Sequence, residues 1–364
     1  LNYDKISKFL VCGFRSLFKE RSSFFSGIRE LPPSTNLIVK NNFQKKEYKY
    51  WSLNYRPQRV NEIEVYEKIE ELLFNSVKLR LRSDIPLAFC LSGGIDSSSL
   101  VAITKNIINS KIQTFSIIDS DQRYNESENI KEIVSFIKCE NTIISTSRND
   151  FLNNMEKIIS YYSAPIPTIS YYIHNQLSEQ IKREGYSVVI SGTGADEIFT
   201  GYYDHYLFWL YEMRLDSDFN QLVDEMREGY GSYINNPLLK DPIKIINNPS
   251  FRDHLYQSSD VFKKIVLKKM DFSFNEKSYC KDILRNRMLN ELSEEVVPVI
   301  LFSDDLNSMM YSIENRSPFL DKDLVEFLFS IETKFLIRDG FQKFLLRNCS
   351  KKLLPKKITK SKEK

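Results

Sequence analysis

Cysteine is scarce in this sequence of 364 residues, and the five that occur are Cys12, Cys90, Cys139, Cys280 and Cys349. No two of them form the Cys-x-x-Cys pair that zinc sites and thiol redox motifs use. Their odd number and wide spacing also argue against the disulfide framework of a small secreted domain. We therefore expect a protein of the reducing cytoplasm.

Long apolar runs and an excess of one charge are missing as well. No run approaches the roughly 20 apolar residues that cross a membrane, and no basic and apolar signal peptide opens the chain. Because 51 Lys and Arg nearly balance 48 Asp and Glu, the net charge is only +3. Such a balance gives no strong field to attract nucleic acid or a lipid surface, and we expect neither as a partner.

Histidine occurs three times, as His174, His205 and His254. Their spacing is not that of a metal-binding pattern, so we expect surface or core positions for all three. Asp119 and Asp121 are interpreted as solvated loop acids. None of these residues is a candidate for catalysis on sequence grounds.

The apolar residues that are present follow two patterns. From Glu64 to Arg82 they recur at helical spacing among charged residues, as in an amphipathic helix. Short apolar runs then alternate with helical segments, which predicts an α/β fold with a parallel sheet covered by helices on both faces. The predicted strands are residues 87–91, 114–118, 141–145 and 187–190, the helices between them include 98–108 and 129–137, and residues 203–334 are mostly helical in pattern.

The first 56 residues mix basic and aromatic side chains with a Pro-Pro turn, which is typical of short strands joined by turns. Arg56 precedes Pro57, and a residue before proline is disfavoured in a helix, so this position is interpreted as a linker. We predict two units, a small β-rich one at 1–56 and a large one at 57–364. Since the chain starts at Leu1, it is interpreted as a fragment, truncated at its end as well.

A loop rich in glycine and serine follows the first predicted strand of the large unit. It reads Ser92-Gly93-Gly94-Ile95-Asp96-Ser97-Ser98 and leads directly into a helix. A strand, a tight loop and a helix aim backbone N–H groups and a helix dipole at an anion, and the serines add hydroxyl donors. Asp96 fits beside phosphate if Mg²⁺ lies between them. The alternative is an ordinary turn with a serine helix cap.

A second loop of this kind follows the strand at 187–190 and reads Ser191-Gly192-Thr193-Gly194-Ala195-Asp196-Glu197. In a doubly wound sheet, loops at the carboxyl ends of neighbouring strands line one crevice. We therefore predict that Asp196 and Asp96 share a Mg²⁺ ion, the hard cation that oxygen ligands suit. A surface turn would explain the glycines alone.

These loops resemble known motifs. The SGGIDS loop resembles the pyrophosphatase loop of the adenylating ATP pyrophosphatases, and SGTGADEIFTGY at 191–202 resembles the SGxGxDExFxGY segment of asparagine synthetases. Further along, NRSPFLD at 315–321 is similar to the RxPFLD segment of the same family. GFQKFLLR at 340–347 and KSKEK at 360–364 are similar to its closing GxxKxxLR and R-x-K-E elements. The order of the motifs agrees, and the resemblance covers about residues 57–364.

The start of the chain also resembles this family. FFSGI at 24–28 and LPP at 31–33 are similar to the last strands of its glutaminase domain. The nucleophile of that domain is an amino-terminal cysteine, and Cys12 is internal and follows a different sequence. We expect this fragment not to hydrolyse glutamine.

The resemblance implies a sheet of the adenine nucleotide α-hydrolase type and ATP-dependent synthesis of asparagine. Aspartate would be activated as an acyl-adenylate with release of pyrophosphate, and ammonia from glutamine would displace AMP. The implied cofactors are ATP and Mg²⁺, the implied partners are small molecules, and a homodimer is left open. By motif position, Lys362 is the mobile catalytic lysine, Asp96 and Asp196 hold the metal, and ATP contacts Leu91, Ser92, Gly93, Gly94, Asp96, Ser97, Ser98, Ile117, Ser191 and Gly192.

One position departs from the family pattern. Asparagine synthetases commonly carry Glu where this chain has Thr193, and a hydroxyl of ordinary pKa cannot act as a general base. Either another acid takes the catalytic place, with Glu197 as one option, or the acceptor is a different carboxylate, such as a sugar acid, a peptide or a β-amino acid. A non-catalytic binding paralogue and a tRNA-modifying enzyme are the alternatives of other classes. The retained Asp96, Asp196 and Lys362 argue against the former, and the absence of paired cysteines argues against the latter.

Overall fold

The computed structural model describes residues 1–108, 111–118, 125–146, 149–231, 233–256, 259–267 and 272–362. Its strands are β1 (Thr35–Val39), β2 (Lys45–Lys49), β3 (Leu87–Cys90), β4 (Gln113–Ile118), β5 (Glu140–Ser145), β6 (Val188–Ile190) and β7 (Glu314–Arg316). Its helices are α1 (Tyr3–Cys12), α2 (Glu62–Arg80), α3 (Ile95–Ile107), α4 (Ser127–Ile137), α5 (Phe151–Tyr162), α6 (Ser170–Arg183), α7 (Ala195–Phe199), α8 (Tyr203–Glu212), α9 (Phe219–Gly229), α10 (Ile243–Asn247), α11 (Ser259–Lys263), α12 (Ile283–Asn290), α13 (Val297–Met309), α14 (Lys322–Leu328), α15 (Phe344–Ser350) and α16 (Lys356–Thr359).

Five parallel strands form the central sheet, in the order β5-β4-β3-β6-β7. The chain enters at β3, moves outward through β4 and β5, and then returns to the other side of β3 with β6 and β7. The direction of strand succession therefore reverses between β3 and β6. Such a reversal opens a crevice at the carboxyl ends of the strands, which is where ligands bind in open α/β sheets. The predicted parallel α/β architecture is confirmed.

Helices cover both faces of this sheet. Successive side chains of a strand point to opposite faces, so Ala88 and Phe89 belong to different clusters of buried residues. Phe89 packs in the larger cluster with residues of α2, α3 and α4. Ala88 packs in a smaller one with Ile181 of α6. The sheet is thus buried on both sides, as its apolar strands predicted.

Helix α2 shows how the sequence specifies one of the covering helices. Asn61 caps its start by accepting a hydrogen bond from the Ile63 N–H, a common role for this residue type. Four apolar side chains spaced four residues apart are fully buried on the face that packs against α3, α14 and α15: Val65, Ile69, Leu73 and Val77. The helix predicted at 64–82 is therefore confirmed.

The start of the chain differs from the expected run of short strands. Residues Tyr3–Cys12 form α1, where Asn2 accepts a hydrogen bond from the Lys5 N–H, and Val11 and Cys12 pack against Phe272. The hairpin of β1 and β2 agrees with the expectation of strands in this segment. The amphipathic helix was missed because it depends on burial against a residue more than 250 positions away.

Strand β7 was also not predicted, because residues 203–334 have a mostly helical pattern. Glu314, Asn315 and Arg316 pair with β6, although none of the three is apolar. A three-residue polar strand carries no alternation of apolar and polar residues from which it could be recognised.

Among the described residues, no helix has both the length and the apolar character needed to cross a bilayer.

Candidate active site

The loop between β3 and α3 is held in shape by its own serines. Ser92 donates its backbone N–H to Ser97 Oγ at 3.1 Å, the two hydroxyls lie 3.1 Å apart, and Ser98 Oγ donates to the Gly94 carbonyl at 2.6 Å. Gly93 has a φ of +91°, a left-handed conformation that glycine adopts most readily. Gly94 begins α3 without a side-chain cap, and the first N–H groups of such a helix can bind an anion.

Two carboxylates from different loops meet the same cation at this point. Asp96 lies in the first turn of α3 and Asp196 in the first turn of α7. Lys343 Nζ lies 2.6 Å from Asp96 Oδ2 and 2.5 Å from Asp196 Oδ1. The structure thus brings together the two aspartates for which the sequence predicted a shared cation, and places an ammonium group between them.

Lys343 is a site residue that the sequence reasoning did not assign. Burial alone would lower the pKa of its ammonium group, but Asp196 and Asp96 outweigh this effect and hold the pKa above its usual value. The side chain therefore stays charged. Lys343 is the lysine of the GxxKxxLR motif, so the resemblance marked this segment of the sequence but gave the lysine no role.

Glycines let the two loops approach each other closely. A Cβ atom at Gly192 would lie 3.3 Å from the Ser97 amide nitrogen and 3.4 Å from Asp96 Cβ. At Gly201, a Cβ atom would lie only 1.7 Å from Asp196 Oδ1 and 2.6 Å from Lys343 Cε, so no larger residue fits without rearrangement. The glycine content of these segments therefore follows from the packing of the charged cluster.

A cavity of about 380 Å³ adjoins the phosphate loop at Ser92. It lies at the carboxyl ends of the strands, with side chains of α6 and α13 forming the opposite wall. Of the predicted ATP contacts outside the phosphate loop, Leu91, Ile117 and Ser191 line it, while Gly192 packs on the phosphate loop. The cavity offers an apolar surface next to hydrogen-bonding groups, as a nucleotide site requires.

Thr193 belongs to the polar wall of this cavity. Its hydroxyl lies 3.1 Å from Ser191 Oγ and donates to Asp304 Oδ2 at 3.2 Å. The other carboxylate oxygen of Asp304 lies 3.4 Å from His174 Nδ1. Neither Asp304 nor His174 was a sequence candidate, because α6 and α13 meet only in the folded chain.

Glu197, named as one option for the missing acid, lies in the core. Only 1% of its surface is exposed, and its carboxylate accepts a hydrogen bond from the Tyr202 hydroxyl at 2.6 Å. Burial, together with the charge of Asp196, raises the pKa of Glu197 to about 7. This side chain is not among those that line the cavity.

Lys362, predicted as the catalytic lysine, is half-buried near the carboxyl end of the chain. Its Nζ lies 5.1 Å from the centre of the Phe341 ring, and a Cβ atom at Gly229 would approach the same nitrogen to 2.9 Å. The lysine that contacts the two aspartates in the structure is Lys343. Asp119, Asp121, Glu363 and Lys364 lie outside the described residues.

A second group of potential metal ligands is buried at Asp204, His205 and Glu291. Arg287 Nε already binds Glu291 Oε1 at 3.0 Å, and His205 Nε2 lies 2.6 Å from Glu291 Oε2. The carboxylate is thus matched by protein cations. We assign this group to the stabilisation of the fold.

Comparison with known proteins places these features in a family. The sequence profile described as asparagine synthase matches residues 68–364. The chain is 23% identical to asparagine synthetase (glutamine-hydrolysing) 1 of Bacillus subtilis over 367 residues, which is 94% of this chain and 56% of that protein. A putative asparagine synthetase of Methanocaldococcus jannaschii is 32% identical over 56% of this chain and 39% of its own length. The amidase chyE of Penicillium rubens is 27% identical over 50% of this chain and 30% of its own length.

The matched part spans little more than half of the bacillary relative, and less of the other two. Among solved structures, ammonia-dependent NAD synthetase from Campylobacter jejuni matches with 14% identity and a TM-score of 0.27, over 57% of this chain and 94% of that chain. We base no argument on this structural match, because its TM-score is low. The profile match covers most of the chain, and the chain therefore belongs to the asparagine synthase family.

Proposed function

We propose that this protein forms amide bonds at the expense of ATP by adenylating a carboxylate and transferring ammonia to it. The observation that carries the proposal is the convergence of Asp96 and Asp196 on one cation beside a glycine-rich phosphate loop. A cavity with apolar and hydrogen-bonding walls adjoins that loop. Family membership supports the same chemistry.

In the first step, a carboxylate oxygen attacks the α-phosphorus of ATP, and the bond to the oxygen that bridges the α and β phosphates breaks. The departing pyrophosphate carries negative charge, which the start of α3 and the ammonium of Lys343 are placed to stabilise. Lys362 is proposed as a further cation for this step. Leu91, Ile117 and Ser191 hold adenosine in the cavity.

The donor chemistry at this site fits Mg²⁺, since Asp96 and Asp196 supply hard carboxylate oxygens and each contacts Lys343 through one of its two oxygens. When bound, the ion would neutralise phosphate oxygens. In the second step, ammonia attacks the acyl carbon, the bond to AMP breaks, and the nitrogen loses one proton.

Aspartate is the first candidate for the acceptor, because the family profile and two of the similar proteins carry the name of asparagine synthesis. A different carboxylate is the second candidate, such as a sugar acid, a peptide or a β-amino acid. Thr193 at the family's usual Glu position and the match to an amidase favour it. Both candidates use the same adenylation.

The experiment is pyrophosphate release from Mg-ATP across a panel of carboxylates, with ammonia as the nitrogen source. Release with aspartate, and formation of asparagine and AMP, supports the first candidate. Release with another acid alone supports the second. Failure of every acid in the panel on a folded, monodisperse chain would contradict the proposed adenylation.

A further inference from the structure

Five polar side chains form a connected line along the wall of the cavity. Asn315 accepts from Ser191 Oγ at 3.0 Å, and Ser191 Oγ lies 3.1 Å from Thr193 Oγ1. Thr193 donates to Asp304, whose other oxygen contacts His174. All of these residues line the same cavity.

This line begins next to the phosphate loop. Gly192, between Ser191 and Thr193, packs against the Ser97 amide and Asp96 Cβ. An acyl-adenylate formed at that loop would therefore lie close to Thr193. The carboxylate of Asp304 and the imidazole of His174 continue from there along the cavity wall.

The amination step needs a base that the family's usual position does not supply here. Ammonia is mostly ammonium at neutral pH, and the nitrogen that attacks an acyl carbon must shed a proton. Thr193 carries a hydroxyl, which does not accept protons at neutral pH. Glu197 is buried and held by Tyr202. Histidine, oriented by a carboxylate, is suited to this task at neutral pH.

We propose that His174 is the general base of the amination step, and that Asp304, anchored by Thr193, positions it. An ionised carboxylate can only accept, so His174 donates through Nδ1 and its Nε2 is the proton acceptor. The nitrogen of the attacking ammonia forms the bond to the acyl carbon, the bond from that carbon to the oxygen of AMP breaks, and the nitrogen gives one proton to Nε2. Asp304 then stabilises the imidazolium. This inference rests on the proposed function and names the residue that its second step requires.

The surroundings of the imidazole fit this role. About half of the His174 side chain is exposed, which leaves a path for the proton to solvent, whereas Asp304 is largely buried. The 3.4 Å separation is long for a hydrogen bond, as is common for catalytic groups before substrate binds. Burial, helped by Asp304, raises the pKa of Tyr171 and raises that of Cys90 to about 12, so neither competes near neutrality. Among the described residues, Asp304 and Tyr171 contact the imidazole, Cys90 and Glu126 line the same cavity, and Tyr162 lies near Asp304.

The test measures adenylation and amination separately in the variant His174→Gln. Adenylation is followed by pyrophosphate release in a single turnover without ammonia, and amination by amide formation with ammonia or with hydroxylamine. The carboxylate is aspartate or, if aspartate is inactive, the panel acid that gives the most pyrophosphate. We expect amide formation with ammonia to fall by about 100-fold, the usual worth of a general base, while adenylation persists. Hydroxylamine is a weaker base than ammonia, so after attack its nitrogen loses a proton to water more readily, and the rate with hydroxylamine should fall much less.

Asp304→Asn tests whether Asp304 acts on amination through His174, which a purely structural role would not affect selectively. Removing the carboxylate that faces the imidazole should lower the ammonia-dependent rate and alter its pH profile, while adenylation and the rate with hydroxylamine change much less. Asp305→Asn is the matched control, because Asp305 is its exposed neighbour on α13 and should leave both steps and the pH profile unchanged. Melting curves establish that each variant is folded.

The outcomes distinguish the inference from the function on which it rests. If the unchanged protein releases no pyrophosphate with any acid, the proposed function fails first. If it is active and His174→Gln keeps its ammonia-dependent rate and pH profile, the base is not His174. A folded variant that loses adenylation and amination equally, with hydroxylamine no better than ammonia, would also overturn the assignment.

Discussion

At the scale of single residues, the site combines residues that sequence motifs predicted with residues that no motif marks. Asp96, Asp196 and Thr193 follow apolar strands and sit in recognisable motifs, so their place at one crevice could be predicted. Asp304 and His174 carry no motif and lie 130 residues apart in the chain. Their contact is set by the packing of α13 on α6, which local patterns do not report.

Lys343 provides a prediction at this scale. Lys343→Gln removes the ammonium that contacts both aspartates, and with it a preorganised cation at the phosphates. We expect the rate of pyrophosphate release to fall by about 100-fold, the usual effect of removing one such group. Lys351→Gln, an exposed lysine after α15, is the control and should behave as the unchanged protein. An unaltered rate in the first variant would exclude this role for Lys343.

Glu197 gives a prediction about stability. Burial, with the charge of Asp196, raises its pKa in the folded state to about 7 from a usual value of 4.5. The folded state therefore binds the proton more tightly than the unfolded state, and stability is lost as the pH rises between these two values. Glu197→Gln removes the titration and still accepts from Tyr202.

Melting temperatures across that pH interval check the Glu197 prediction. The difference between Glu197→Gln and the unchanged protein should grow in favour of the variant as the pH rises. Pyrophosphate release should persist in the variant, since Glu197 does not line the cavity. A difference that does not vary with pH would show that the carboxyl does not titrate as described.

At the scale of elements, most of the sheet could be predicted and its last strand could not. β3 and β6 are apolar runs, β4 and β5 each contain a pair of adjacent isoleucines, and these features were sufficient to locate the four strands. β7 consists of three polar residues, and only pairing with β6 makes it a strand. Helix α1 was missed for a related reason, since its buried face meets distant Phe272.

The buried charges of α12 make an element-scale prediction. Arg287 is fully buried and binds Glu276 at 2.5 Å, Glu291 at 3.0 Å and also Glu295. Arg287→Met leaves buried carboxylates without this cation, which typically costs 3–5 kcal/mol. We expect the free energy of unfolding in urea to fall by about that amount, ~4 kcal/mol. Arg183→Met, in an exposed ion pair of α6, is the control and should change it by less than about 1 kcal/mol.

The same network predicts the acid response of the fold. Burial alone would raise the pKa of Glu291, but His205 and Arg287 outweigh it and lower the pKa. A carboxyl with a lowered pKa contributes stability above its usual value, and this contribution is lost as the pH falls through the lowered value. Arg287→Met should therefore show a weaker loss of stability on acidification. An acid response identical to that of the unchanged protein would contradict the coupling.

At the scale of the whole molecule, the sequence was sufficient for the family and the fold class of residues 57–364. The division at residue 56 stays a prediction, and so does the cytoplasmic location inferred from cysteine usage. Arg15 and Lys19 reach the buried Glu295 at 3.6 and 2.9 Å, which ties the start of the chain to the larger unit. Ion pairs between residues so far apart in the chain could not be inferred from local sequence.

The acceptor remains the main distinction between the two candidate functions, and it depends on the cavity as a whole. Thr193 stands where asparagine synthetases commonly carry Glu. Asp304 and His174, on the opposite wall of the cavity, are the ionisable groups next to it. The chemistry of adenylation, by contrast, depends on the cluster of Asp96, Asp196 and Lys343, which both candidates share.

The most direct measurement is carboxylate-dependent release of pyrophosphate from Mg-ATP, compared between the unchanged protein, Asp96→Asn and the exposed control Asp84→Asn. We expect release by the unchanged protein and by Asp84→Asn, together with AMP and an amide, and none above background by Asp96→Asn. Release of orthophosphate in place of pyrophosphate, or an undiminished rate in Asp96→Asn, would contradict this expectation.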